Sequence, residues 1–101
     1  MSESLKVNLL FPLEDNDGEP FDEDVWGWWR SEMTVRFAGY TDLGKVKGYW
    51  EGYSDQHRMV VMVLPDSELP AVRRFLQEAR ERFRQEAMYL DHHPVVLELI
   101  R

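Results

Sequence analysis

From Leu5 to Phe11 the apolar positions alternate. Leu5, Val7, Leu9 and Phe11 share one face, and Lys6, Asn8 and Leu10 share the other. Period two is the spacing of a half-buried strand, and Pro12, which cannot donate to a ladder, ends it. Glu14 to Pro20 follows as a loop, with turn chemistry at Asn16-Asp17-Gly18. The period then lengthens. Trp26, Trp29, Met33 and Phe37 fall at i, i+3, i+7 and i+11, one stripe of a helix running to about Phe37. Asp22 is placed to cap it, Glu23 and Asp24 suit the positive end of its dipole, and Gly39 is a stop signal. Gly27 inside this helix costs about 0.5–1 kcal/mol relative to alanine, which the close approach of another element would explain.

Gly44 opens a second strand, Lys45 to Glu51, with Val46, Gly48 and Trp50 on one face and Lys47, Tyr49 and Glu51 on the other. Gly52 to Gln56 reads as a turn, so the next strand forms an antiparallel hairpin with this one. That third strand carries six apolar residues in a row, Met59 to Leu64, and predicts cover on both sides of the sheet. Pro65-Asp66-Ser67 ends it. Ser67 as N-cap puts Pro70 in the first turn of a second helix, where a missing N–H costs nothing. Leu69, Val72, Phe75, Leu76, Ala79 and Phe83 form its apolar stripe. Its other side is charged, with Arg74, Glu78 and Arg82 at i, i+4 spacing. Met88 to Leu90 reads as a short extended piece, Asp91-His92-His93-Pro94 as a turn, and Val95 to Ile100 as the last strand.

The predicted order is strand, helix, strand, strand, helix, strand. Right-handed crossovers put both helices on one face of a four-stranded antiparallel sheet, an α+β, ferredoxin-like arrangement with the first and third strands central. Continuing the alternation puts Met59, Val61, Val63, Val95, Leu97 and Leu99 under the helices, with Val46, Gly48 and Trp50. The open face then receives Lys6, Asn8, Leu10, Lys47, Tyr49, Glu51, Val60, Met62, Leu64, Val96, Glu98 and Ile100. The centre of that face is too apolar to stay uncovered, so it should meet a second subunit, a partner or a ligand.

At 101 residues the chain, 1–101, is one domain with one core. It has no cysteine, which removes disulfides and thiolate chemistry. No apolar run approaches the ~20 residues of a membrane span, and Met1-Ser2-Glu3-Ser4 lacks the features of a secretory leader, so the cytoplasm is the expected location. The net charge is −7. Seven of the 19 acids fall between Glu14 and Asp24, and the 12 that remain match the 12 lysines and arginines. Such a distribution repels a phosphate backbone and argues against nucleic acid as a partner.

Candidate chemistry is sparse. Asp15-Asn16-Asp17-Gly18-Glu19 has the look of a calcium loop, but in that register the first ligand position is Leu13 and the last is Asp24. The plain reading is an acidic, solvated turn, and no metal or cofactor is expected. His92 and His93 could ligate zinc with His57 or Asp91, yet adjacent residues of an extended segment point apart. Asn8, Tyr49 and Glu98, with Lys6 and Glu51, could form a polar site on the open face in which Glu98 acts as a base; Glu98 could equally be an edge charge that discourages aggregation. Trp26, Trp29 and Trp50 belong to the core, and Trp28, off the stripe, is a candidate contact anchor. No serine–histidine–acid set, glycine-rich phosphate loop or H-E-x-x-H is present.

Arg36-Phe37-Ala38-Gly39-Tyr40-Thr41, then Gly44, then Gly48-Tyr49-Trp50, and later Arg82-Phe83-Arg84-Gln85-Glu86-Ala87-Met88 together carry a pattern F-x-G-x-T…G…W…F-x-Q-E-A. In this the chain resembles a family of small bacterial proteins, a domain of unknown function of ferredoxin-like fold. The resemblance implies that fold and no reaction, so no catalytic residue follows from it. Two functions are carried forward. One is a non-catalytic protein-interaction or regulatory module using the open sheet face, with a protein partner or a second copy of itself; Asn8, Tyr49, Met62, Glu98 and Trp28 are its expected contact residues. The other is a homodimeric small-molecule binder or enzyme with a pocket between two sheets.

Overall fold

The computed structural model describes residues 3–101; the leader reading at Met1 and Ser2 lies outside the described residues. The elements are β1 (Ser4–Pro12), α1 (Glu23–Arg36), β2 (Thr41–Trp50), β3 (Tyr53–Pro65), a single 3₁₀ turn (Asp66–Glu68), α2 (Leu69–Arg82) and β4 (Tyr89–Val95). The strands form one antiparallel sheet in the order β2-β3-β1-β4. This is the α+β, ferredoxin-like arrangement, with β1 and β3 at its centre.

β1 buries Leu5, Val7, Leu9 and Phe11 against the helices, as its alternation predicts. Asp22 caps α1, its carboxylate accepting from the Val25 N–H at 3.2 Å. The helix stops at Arg36 and Phe37 turns extended, so Gly39 lies beyond its end. No atom lies within 4 Å of where a Gly27 Cβ would stand, so no close approach explains this glycine. All six stripe residues from Leu69 to Phe83 are buried, five of them in α2 and Phe83 at its C-cap. Ser67 lies in the 3₁₀ turn, and Glu68 holds the N-cap position of α2 without a side-chain bond.

The core between helices and sheet is aromatic. Phe11 has Trp29, Phe83 and Phe75 at centroid distances of 5.4, 5.8 and 6.2 Å. Trp28, Glu32 and Arg36 recur at i, i+4 and i+8 on the side of α1 that meets α2. Trp28 stacks on Phe75 at 5.7 Å, with the Arg82 guanidinium 4.9 Å from its ring. Arg36 binds Glu32 at 2.8 Å and also Glu78 of α2. That second bond lowers the Glu78 carboxyl below its usual range, and it replaces the expected pairing of Glu78 with Arg74 and Arg82.

Four predicted boundaries move. β2 begins at Thr41, so Gly44 lies inside the strand and does not open it. The β2–β3 turn is two residues, Glu51 and Gly52, with φ of 48° and 84°. Two consecutive residues at positive φ suit the right-handed twist of a hairpin, and glycine takes the second without penalty. The hairpin is therefore longer than predicted, and Tyr53 to Gln56, read as part of the turn, belong to β3. Asp91-His92-His93-Pro94, predicted as a turn, lies inside β4. β4 is an edge strand, where proline and polar residues are tolerated. Val95 to Ile100, predicted as the last strand, enters β4 only at Val95, which pairs with Ser4 at the start of β1; from Val96 onward the chain runs past the sheet.

The face assignment of β3 is inverted relative to the alternation carried through the sequence. Val60, Met62 and Leu64 pair with Leu9, Val7 and Leu5 and are buried under the helices. Met59, Val61 and Val63 pair with Leu10, Asn8 and Lys6 and so lie on the open face. β2 follows β3: Val46, Gly48 and Trp50 share the open side, and Lys47 and Tyr49 the helix side. An extra residue at Leu43 makes a bulge between Asp42 and Gly44, where Gly44 takes φ of 75°.

Candidate interaction surface

The uncovered face of the sheet is built from every second residue of each strand, and the register brings them side by side. Along the centre run Leu10 beside Met59, Asn8 beside Val61, and Lys6 beside Val63. On the β4 side the same β1 residues face Tyr89, Asp91 and His93. An apolar strip, Leu10–Met59–Val61–Val63, thus lies next to a polar one. Val63 is 42% exposed. β2 begins opposite Val61, and where β3 continues past it there is a depression of about 280 Å³, lined by Gly39, Tyr40, Thr41, Val61, Met62 and Val63.

The polar strip has its own bonding. Asn8 Nδ2 donates to Asp91 Oδ1 at 2.7 Å, and the Tyr89 hydroxyl donates to Asp91 Oδ2 at 2.6 Å. The Tyr89 bond, then the Asn8 bond, hold the Asp91 carboxyl below its ordinary pKa, and His93 and His92 act in the same direction. The bond to Asp91 also raises the Tyr89 hydroxyl. A carboxylate so occupied is a structural tie across the β1–β4 ladder.

A second exposed element is the tip of the β2–β3 hairpin. Tyr49, Trp50 and Tyr53 are all exposed there, with the Lys47 ammonium 5.6 Å from the Tyr49 ring. Trp50, expected in the core, closes the hairpin against Tyr53 in solvent. Where the hairpin leaves the body, Arg58 lies over Trp29 at 4.4 Å and Trp26 at 5.1 Å. Its Nε donates to Asp42 Oδ2 at 3.0 Å, which draws the Asp42 carboxyl below its usual pKa. Sequence reasoning passed over Asp42 and Arg58. Their 16-residue separation across a hairpin is legible only once the bulge fixes the register.

The five expected contact residues do not converge. Asn8 is on the open face, bound to Asp91. Tyr49 is near the hairpin tip. Met62, expected on the open face, is 3% exposed in the core. Glu98 lies beyond β4, on no strand. Trp28, expected as an exposed anchor, packs between α1 and α2, because a helix flanked by both a sheet and a second helix buries two stripes. In the acidic loop Asp15 Oδ1 accepts from the N–H groups of Asp17 and Glu19 at 2.9 and 3.0 Å, and Arg84 lies 3.4 Å from its Oδ2. This carboxylate closes the turn, and the backbone bonds lower its pKa. His92 and His93 occupy successive positions of β4, opposite Val7 and Lys6, and so point to opposite faces. Among the described residues, no three His, Asp or Glu side chains are grouped to hold one metal ion, and no helix is long and apolar enough to cross a membrane. Compared with protein-family models and with curated proteins, the chain finds no match.

Proposed function

We propose that this chain is a non-catalytic protein-interaction module that works through the open face of its sheet. The observation that carries the reading is the apolar strip Leu10–Met59–Val61–Val63 on the face opposite the helices, its first three residues half-buried and Val63 exposed, beside a polar strip whose one carboxylate is already tied to Asn8 and Tyr89. An apolar centre with a polar margin is the anatomy of a contact surface. The exposed aromatics of the hairpin tip supply the residue types that dominate such contacts. The acidic loop turns nucleic acid away, so the partner is a protein. A small-molecule pocket between two sheets would need Asn8, Tyr49 and Glu98 together; they stand on the sheet face, the hairpin and the chain beyond β4.

The test is site-specific photo-crosslinking in the cells that make the protein, with the crosslinking residue at Val63 on the open face or at Arg74 on the exposed side of α2. The expected result is an adduct from Val63 that Arg74 does not give. No adduct from Val63, or the same adducts from both positions, would refute this use of the face.

A further inference from the structure

Val96 to Arg101 pair with no strand among the described residues. β4 ends at Val95, opposite the first residue of β1, and the chain continues outside the sheet as Val96-Leu97-Glu98-Leu99-Ile100-Arg101. Val96, Leu97, Leu99 and Ile100 are 89, 56, 69 and 87% exposed. Four of the five residues from Val96 to Ile100 are large and apolar, and in an extended segment Val96 and Ile100 share the Glu98 side while Leu97 and Leu99 share the other. They cannot cover their own open face without reversing direction, because β4 runs off the end of the sheet.

We propose that Val96–Arg101 is an arm that lies on the open sheet face of a second copy of this chain, so that two copies exchange arms. The proposal rests on the reading of that face as an interaction surface, and it names the occupant. Three features of arm and face correspond. The first is length and period. The strip from Met59 to Val63 runs about 13 Å along β3, and an extended segment from Val96 to Ile100 also spans about 13 Å, with alternate side chains at the same repeat of roughly 6.7 Å. The second is shape. The depression beside Val61 and Val63 offers a seat for a branched side chain of the arm at the edge of the strip. The third is charge. Glu98 is the one acid of the arm. Lys6, beside Val63 on the open face, makes no ion pair among the described residues, while Asp91 is occupied by Asn8 and Tyr89. With one arm and one face per copy, the contact closes at two when the arms are exchanged reciprocally about a two-fold axis.

The test is sedimentation equilibrium over a range of concentrations on the full chain, on the chain ending at Val95, on Lys6→Glu, on Glu98→Lys and on the double charge swap. Circular dichroism checks that each variant is folded; all the changes are at exposed or half-buried positions. The full chain is expected to be a dimer. Removing the arm should raise the dimer Kd by on the order of 100-fold, since it deletes Val96 and Ile100, the two apolar side chains that share the Glu98 side and would be buried on the face. Each single swap should weaken the dimer several-fold, and the double swap should restore it. A full chain that stays monomeric, a dimer that survives loss of the arm, or a double swap no better than its singles would overturn the proposal. A monomer whose Val63 still crosslinks to another protein would remove the arm exchange and leave the interaction face standing.

Discussion

Two neighbouring residues of β3 should respond to the same substitution with losses of very different size. Met62 is 3% exposed beneath the helices, with Val7 opposite it, whereas Val61 is half-buried on the open face opposite Asn8. Met62→Lys loses the burial of a methionine, about 2–5 kcal/mol from large-to-small core substitutions. It also places an ammonium without a partner in the buried core opposite Val7, which costs several kcal/mol more unless the head escapes to water. A domain of this size has about 5–15 kcal/mol in all, so Met62→Lys should remove most or all of its stability. Val61→Lys gives up only partial burial, and the lysine stem can lie along the apolar strip with its head in solvent; a loss of about 1 kcal/mol or less is expected. Urea denaturation followed by tryptophan fluorescence and far-ultraviolet circular dichroism separates the two. With m of roughly 1–3 kcal/mol per molar urea, Val61→Lys should move the midpoint by about 1 M or less and Met62→Lys by several molar, or leave no folded baseline. A folded Met62→Lys beside an unfolded Val61→Lys would invert the face assignment and with it the surface proposed to bind.

The remaining predictions concern single contacts. Gly27→Ala should stabilise the protein by about 0.5–1 kcal/mol, because its Cβ would meet nothing within 4 Å; a lower melting temperature would show that the glycine serves a contact. Arg58→Ala should cost about 1–2 kcal/mol through loss of its tryptophan stacking and its bond to Asp42. A double-mutant cycle with Asp42→Ala should show coupling of roughly 0.5–1.5 kcal/mol, and zero coupling would refute the pair. The Asp91 carboxyl is lowered and the Tyr89 hydroxyl raised by one bond. Its stabilisation should therefore be present between the two ordinary values, about pH 3.9 and 10. It should fade below that window as Asp91 is protonated, and above it as Tyr89 ionises. Tyr89→Phe should flatten both limbs of the stability–pH curve; unchanged limbs would show that the bond has no such role.

Much of the fold is legible in the chain because its signals are local. β1 alternates strictly, α2 repeats one apolar stripe from Leu69 to Phe83, and Asp22 announces the start of α1; each needs only its own neighbours to be read. Element order and crossover handedness then lead to the sheet. What local pattern could not decide was the face of β3, because six consecutive apolar residues contain no alternation. Pairing with β1, which sets Val7 against Met62, made that choice, and β2 followed through its bulge at Leu43. Trp28 was misplaced for a related reason: one helical stripe describes contact with a sheet, and α1 has a second neighbour in α2. Asp91 to Pro94 is polar and proline-containing, yet it is a strand because it lies at the sheet edge, while the more strand-like Val96 to Ile100 is left out because β1 begins opposite Val95. The chain by itself determined which segments bury apolar surface and in what order they come. The tertiary structure decided which side of each strand is covered, since that depends on which backbone lies opposite, and so it decided which apolar residues remain free to meet a partner.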